Sequence, residues 1–376
     1  MKAEIICIGT ELLLGHIVNT NTSFLSQKLA EAGIDVYHHT AVGDNVVRLT
    51  KAIRQAMVRS DIVITSGGLG PTVDDITAQT VTTITGKKAI RWVKNNVGSA
   101  PGMIAKYQDK VIICLPGPPR EITPMFLSDI IPYLKRIAGT GWVIKSRTIK
   151  TTGLVESKVN RMAKDILNLK PPTTVGIYAK LGEVSLKIMS KAESDKKANT
   201  AISKVEKKIR ARLKDYIFGY DDETLEGAIG KQLTAKKKTI AIAESCTGGL
   251  VSHRITNVSG SSRYFKMAVV AYSNGIKEDV LGVSRKLLTK YGAVSRKVAL
   301  EMAKGMKYLA SSDIALAITG IAGPTGTTRS KPVGLVYVAL VTDKKRIAKE
   351  LRFKGSREEI KFQASQAALD LIRRNA

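Results

Sequence analysis

Residues 239–249, Thr239-Ile240-Ala241-Ile242-Ala243-Glu244-Ser245-Cys246-Thr247-Gly248-Gly249, carry a short apolar run straight into a turn of hydroxyl side chains and glycines. An apolar run of this length, bounded by turn residues, reads as a buried strand, and the turn after it hands the chain to a helix. Strand, glycine turn and helix in that order build a parallel sheet with crossover helices. The turn sets hydroxyls and free N–H groups at a helix N-terminus, where they suit a phosphate or a developing oxyanion. An ordinary serine or threonine helix cap accounts for the same seven residues, 243–249.

Working outward, Asp221-Asp222-Glu223-Thr224 reads as a linker and helix start, with acidic residues where a helix N-terminus favours them. A unit spanning 223–376 begins there. Its further strands are expected at Ala268–Tyr272, Asp313–Thr319 and Gly334–Leu340, with a closing helix from about Arg357. The first of these strands ends in Ala271-Tyr272-Ser273-Asn274-Gly275-Ile276-Lys277, a phenol and an amine five positions apart. Serine is a weak nucleophile unless a base takes its proton, and a desolvated lysine can be that base. Cys246 is a rival nucleophile, though a small buried residue is the commoner role of a lone cysteine. Two glycine-bearing loops, Thr319 to Gly326 and Lys331 to Gly334, stand where α/β proteins bind ligands.

Toward the N-terminus the same alternation recurs. Ile5–Ile8 and Asp61–Thr65 read as strands, and Phe24–Ala32 and Asp75–Thr85 as helices. Ser66-Gly67-Gly68-Leu69-Gly70-Pro71-Thr72 is a glycine-rich loop suited to backbone contact with phosphates. Asp74 and Asp75 follow it, either holding a divalent cation or capping the next helix. A strand at Lys110–Leu115 then leads through Pro116-Gly117-Pro118-Pro119 into a helix from about Arg120 to Arg136. Between 143 and 220 the pattern changes to strand, helix, two strands (Thr173–Ala179 and Glu183–Ser190) and a long helix. In that helix Ile202, Val205, Ile209 and Leu213 form one apolar stripe, while Lys204, Lys207, Lys208 and Arg210 cover the rest, as solvated surface or as a polyanion contact. The middle segment reads as a small α+β module.

A chain of 376 residues exceeds one ordinary core and implies two or three domains. At 44% hydrophobic and 24% charged residues it has globular composition, which excludes wholesale disorder. No stretch approaches the roughly 20 apolar residues of a bilayer span, so no membrane association is expected and the cytoplasm is the expected location. Cys7, Cys114 and Cys246 are odd in number and widely spaced, defining neither a disulfide framework nor a zinc site. The formal charge of +28 attracts phosphate-bearing partners, but it speaks first to solubility and non-specific association.

The sequence resembles the competence/damage-inducible CinA family along essentially its whole length. The resemblance rests on Ile8-Gly9-Thr10-Glu11-Leu12-Leu13, on Ser66 to Asp75, on Leu115 to Pro119, on Ala243 to Gly249, on Gly320 to Pro324 and on Lys331 to Gly334. It implies a multidomain α/β protein: a molybdopterin-binding-like three-layer domain over 1–142, a KH-like α+β module over 143–220, and an α/β/α amidase domain over 223–376. By the same resemblance the last domain hydrolyses nicotinamide mononucleotide to nicotinate mononucleotide and ammonia, without a cofactor.

Residue by residue, the resemblance makes Ser245 the nucleophile, Lys277 the base and Tyr272 the phenol that relays or orients the proton. Thr247, Gly248, Gly249, Thr319, Gly320, Lys361 and Gln363 would contact substrate. In the N-terminal domain it implies a nucleotide site, of ADP-ribose pyrophosphatase type, at Gly9, Thr10, Glu11, Asn19, Asn21, Gly67, Gly68, Gly70, Thr72, Pro116 and Gly117. A divalent metal of the magnesium, manganese or cobalt class would sit on Asp74 and Asp75, with Asp44 and Glu121 as further ligands. The partners expected are small-molecule nucleotides, nucleic acid only non-specifically, and a second copy in a homodimer. Two alternatives remain at this stage, a nucleic-acid-binding protein and a molybdopterin-binding or adenylylating one. The chain departs from the family's pattern in a shorter segment between Thr85-Gly86 and Ile90, in Thr327-Thr328, and in Phe362, where an arginine is expected.

Overall fold

The computed structural model describes residues 1–72, 74–86, 90–139 and 142–376. Residues 87–89, in the shortened segment, lie outside the described residues. The chain divides into two compact units, Met1–Lys145 with Met189–Ala201, and Ser146–Ile188 with Ile202–Ala376.

The first unit is built on six strands: β1 (Lys2–Ile8), β2 (Asp35–Val42), β3 (Ile62–Ser66), β4 (Ile90–Val93), β5 (Gly102–Tyr107) and β6 (Lys110–Leu115). They lie in the order β2-β1-β3-β6-β5-β4. β1, β2, β3 and β6 run parallel, and β5 is antiparallel to both of its neighbours. Strands buried on both faces read as near-continuous apolar runs, and here alternate residues serve two cores. Ile5, Ile62 and Ile64 pack with Leu25, Leu29 and Phe126 on one side. Ile6, Ile8 and Val63 pack with Leu49, Ile53 and Val81 on the other. The helix expected from Asp75 starts at Thr77, so Asp74 and Asp75 belong to the preceding turn. The helix expected from Phe24 starts earlier, at Thr20, because Asn19 caps it by accepting from the Thr22 N–H.

A four-stranded sheet follows, with strands β7 (Val143–Thr152), β8 (Thr173–Lys180), β9 (Glu183–Ala192) and β10 (Ile217–Tyr220) in the order β10-β7-β9-β8. Ile202, Val205, Ile209 and Leu213, the apolar stripe read from sequence, are buried in its core.

The C-terminal sheet contains β11 (Ile240–Glu244), β12 (Phe265–Val270), β13 (Ile314–Gly320), β14 (Leu335–Val341) and β15 (Arg346–Arg352), in the order β12-β11-β13-β14-β15. β11 lies parallel to β12 and β13, and the last two strands add antiparallel. Ile240, Ile242, Ile314, Leu316 and Ile318 face the helices Leu225–Ala235, Leu250–Thr256 and Arg357–Asn375. Ala241, Ala243, Ala315 and Ala317 face the helix Arg296–Ala310, their small side chains letting it approach closely. At Gly305 of that helix an added Cβ would lie 1.8 Å from the Leu281 carbonyl oxygen, so only glycine fits. β12 ends at Val270, which leaves Tyr272 in the loop beyond the strand, not within it as its sequence suggests.

Candidate active site

The chain reaches β12 on one side of β11 and β13 on the other, so the carboxyl ends of these three strands open at a topological switch point. Each strand delivers part of one site there. Ser245 follows β11, with its N–H bonded to the Ile318 carbonyl of β13 at 3.0 Å. Tyr272 and Lys277 follow β12, and Thr319 and Gly320 close β13.

Lys277 sits in the short helix Asn274–Asp279 and is 1% exposed. Its Nζ lies 3.2 Å from Ser245 Oγ and donates also to the carbonyls of Ala271 (2.7 Å), Tyr272 (3.2 Å) and Ser273 (3.4 Å). Burial penalises the ammonium and brings the Lys277 pKa below the 10.5 of a free lysine. Ser245 is itself buried. Serine and a desolvated amine within hydrogen-bond reach are the elements of an activated nucleophile. Cys246 is buried beside them with its thiol pushed up to about 12 by desolvation, so it stays protonated and is a poor nucleophile.

The turn after Ser245 differs from the expectation in one respect. Glu244, fully buried, accepts from the N–H groups of Gly249 (3.0 Å), Val251 (3.1 Å) and Ser252 (2.9 Å) and from the Ser252 hydroxyl (2.6 Å). The Gly248 N–H is bonded to the Ser245 carbonyl at 3.1 Å. Gly248 and Gly249 therefore do not present their N–H groups to an oxyanion or phosphate, because an internal carboxylate and a tight turn have taken them. Between the serine and these glycines, the N–H groups of Cys246 and Thr247 have no carbonyl or carboxylate partner among the described residues. Thr247 is fully buried and its hydroxyl has no partner among the described residues, an omission that costs about 1–3 kcal/mol unless something else bonds it. Gly248 and Gly249 keep a backbone role, both at positive φ (62° and 95°).

Thr319 donates its hydroxyl to the Ala293 carbonyl at 2.9 Å, so it braces the floor of the site. A Cβ on Gly320 would lie 2.8 Å from the Leu335 carbonyl oxygen, which makes that glycine a packing requirement of the strand pair. Lys361 reaches the turn, its Nζ 3.7 Å from where a Gly248 Cβ would be. Gln363 does not reach it, since its amide donates to the carbonyls of Lys354 and Glu359. Phe362, in place of the expected arginine, packs under the Arg254 guanidinium at 5.0 Å. Tyr272 is 61% exposed, and its phenol oxygen accepts from Arg357 at 2.9 Å. Glu244 and Arg357 are the two residues the sequence reading passed over. The first was detectable as an acidic residue just ahead of a helix N-terminus, a favoured place for one.

In the first unit, Gly9, Glu11, Asp44, Gly67, Gly68, Gly70, Asp74, Asp75, Pro116, Gly117 and Glu121 line a cavity of about 430 Å³. Glu11, Asn19, Asn21 and Gly117 line a second of about 470 Å³. Gly67 (φ 109°) is required there, because a Cβ would lie 2.3 Å from the Ile8 carbonyl oxygen. Thr10 and Thr72 turn inward to carboxylates. Thr10 N–H and hydroxyl both donate to Asp44 at 2.8 Å, and those of Thr72 donate to Asp75 at 2.8 and 2.6 Å. Burial works against the Asp75 carboxylate, but these Thr72 bonds, with the Gly70 N–H, hold its pKa below the usual range. Asn19 caps a helix, and Asn21 clasps Ser66 Oγ and the Gly117 carbonyl. Glu121 accepts from Asn95 at 2.8 Å.

Oxygen donors of this kind suit a hard divalent cation. Yet no three His, Cys, Asp or Glu side chains converge on one point among the described residues. Asp75 accepts from the Thr72 N–H and hydroxyl, and Asp74, Asp44 and Glu121 line the same cavity without joining it in such a cluster.

Fold and site together define a three-domain α/β protein whose C-terminal domain carries a serine–lysine pair at a sheet switch point. Residues 4–136 match the probable molybdopterin binding domain, 146–219 the damage-inducible protein CinA KH domain, and 222–376 the CinA C-terminal domain. A putative competence-damage inducible protein of Thermoanaerobacter pseudethanolicus is 45% identical over 408 aligned positions, covering 100% of this chain and 98% of the relative. A CinA-like protein of Dictyoglomus thermophilum is 42% identical, with 100% and 99% covered. The crystal structure of competence/damage inducible protein CihA from Agrobacterium tumefaciens is 40% identical over 39% of this chain and 90% of its own, with a TM-score of 0.39. The chain belongs to the CinA family.

Proposed function

We propose that the C-terminal domain is a nicotinamide-nucleotide amidase that converts nicotinamide mononucleotide and water to nicotinate mononucleotide and ammonia. The observation that carries this reading is the 3.2 Å contact between Lys277 Nζ and Ser245 Oγ in a site that lowers the lysine's pKa. The neutral amine takes the Ser245 proton as Oγ attacks the carboxamide carbon. The resulting oxyanion is received by the N–H groups before Gly248. Collapse breaks the C–N bond, and the departing nitrogen takes a proton from the Tyr272 phenol, which the lysine's ammonium replenishes through solvent. Water then attacks the acyl-serine, its proton passing to Lys277; the ester C–O bond breaks, Lys277 returns that proton to Ser245 Oγ, and the acid product loses its own proton to the released ammonia or solvent as the carboxylate.

The choice of a nucleotide substrate rests on the family resemblance and on Lys361, a cation that reaches the Gly248 turn. A lysine binds phosphate as a point charge where an arginine would bind it bidentately, so the phosphate is held less stereospecifically. Incubation with nicotinamide mononucleotide tests the reading. Wild-type protein should release ammonia and nicotinate mononucleotide, and Ser245→Ala should release neither while keeping its circular dichroism spectrum. Full activity in Ser245→Ala would sink it.

A second activity, hydrolysis of a nucleotide pyrophosphate such as ADP-ribose, is supported by the glycine-walled cavity of the first unit. Its acidic lining of Glu11, Asp44, Asp74, Asp75 and Glu121 would repel bare phosphates. The substrate would therefore enter as its divalent-cation complex.

A further inference from the structure

Arg357 opens the closing helix Arg357–Asn375, directly after the N-cap Ser356. A cation there opposes the helix dipole, so the position is unfavourable for helix stability alone. The cap itself is complete without it: Ser356 and Glu359 form a reciprocal capping box. The guanidinium is turned instead toward the switch point. One amino group donates to the Gly323 carbonyl in the loop after β13 at 2.6 Å, and the other donates to the Tyr272 phenol oxygen at 2.9 Å. Both acceptors are neutral oxygens.

We infer that Arg357 is a positioning residue for the Tyr272 phenol, fixing the ring and the direction of its proton for the amide nitrogen that leaves. The inference rests on the amidase reading. Tyr272 is mostly exposed, and a phenol standing free in a loop samples several rotamers. Two N–H donors in a fixed planar fork tie it to a second loop, which a lysine's single ammonium head does less rigidly. Because Tyr272 Oη accepts from the guanidinium, its own O–H points elsewhere and is free to be donated. Placing a proton donor correctly affects the transition state in which the C–N bond breaks, and leaves ground-state binding of the nucleotide nearly unchanged.

Ammonia release is measured for wild type, Arg357→Met, Arg357→Lys, Tyr272→Phe and the double variant Arg357→Met/Tyr272→Phe. Arg357→Met should lower kcat by about tenfold or more with KM within about threefold, and the double variant should be no slower than Tyr272→Phe alone. Arg357→Lys should recover part of the loss. An additive double variant, or a loss confined to KM, would overturn the inference, since it would mean that Arg357 acts on substrate or loop without Tyr272. Wild-type activity in Arg357→Met would overturn it too. A wild-type protein that releases no ammonia would bring down the amidase reading itself, and the inference with it.

Discussion

Ser245 and Lys277 are 32 residues apart in the chain, yet their pairing is what separates a reactive serine from a helix cap. Lys277 is also where pH should act. Its pKa in the folded protein lies below its unfolded value, so between the two the unfolded chain binds more protons and stability rises with pH. Activity should rise over the same range, because only the neutral amine is a base. We therefore expect kcat/KM to climb along a limb with its midpoint below 10.5, and Lys277→Ala to remove that limb with a loss of about 100-fold to 10,000-fold. A pH profile unchanged in Lys277→Ala would exclude the lysine as base. Cys246→Ala, by contrast, should keep the ammonia-releasing activity, since a thiol held near 12 has no thiolate to lose. At this scale the sequence was legible where chemistry sits in one short motif. Glu244, Arg357 and the occupied N–H groups of Gly248 and Gly249 were not, because each depends on which partner a neighbouring group has already taken.

Among the elements, the helix Leu250–Thr256 is too short to be stable alone, and its N-terminus depends on Glu244. Glu244→Ala would strip three backbone N–H groups and one hydroxyl of their acceptor inside a closed core. We expect a loss of about 2–4 kcal/mol, read as a lowered denaturant midpoint at unchanged slope. A midpoint equal to that of wild type would show that other acceptors replace the carboxylate. Strands buried on both sides, such as β3 and β11, announced themselves as apolar runs. β15 did not: Arg346-Ile347-Ala348-Lys349-Glu350-Leu351-Arg352 is an edge strand with charged side chains, and it becomes a strand by pairing with β14. The helix start at Thr77 was misplaced for a related reason. Asp75 satisfies Thr72 in a local turn, which competes with the helix for the same backbone.

For the molecule as a whole, the two candidate sites differ in kind. The serine–lysine site is built on a hydroxyl and an amine, whereas the cavity of the first unit is walled by carboxylates. Treatment with a chelator should leave ammonia release intact and abolish any pyrophosphate hydrolysis, with added divalent cation restoring the latter. Chelator-sensitive, metal-restored ammonia release would contradict that division. No helix among the described residues is long and apolar enough to cross a membrane, and the formal charge of +28 by itself selects no partner. The sequence by itself determined the three-domain order and the strand–turn–helix units, because these follow from local periodicity and from motifs that stay contiguous, whereas the serine, the phenol and the amine came as candidates from the family resemblance. Only the tertiary structure decided which N–H groups remain free, that Lys277 is buried, and that Arg357 reaches across 85 residues to Tyr272. Burial and hydrogen-bond partnership belong to the space between strand ends, which no local stretch of chain encodes.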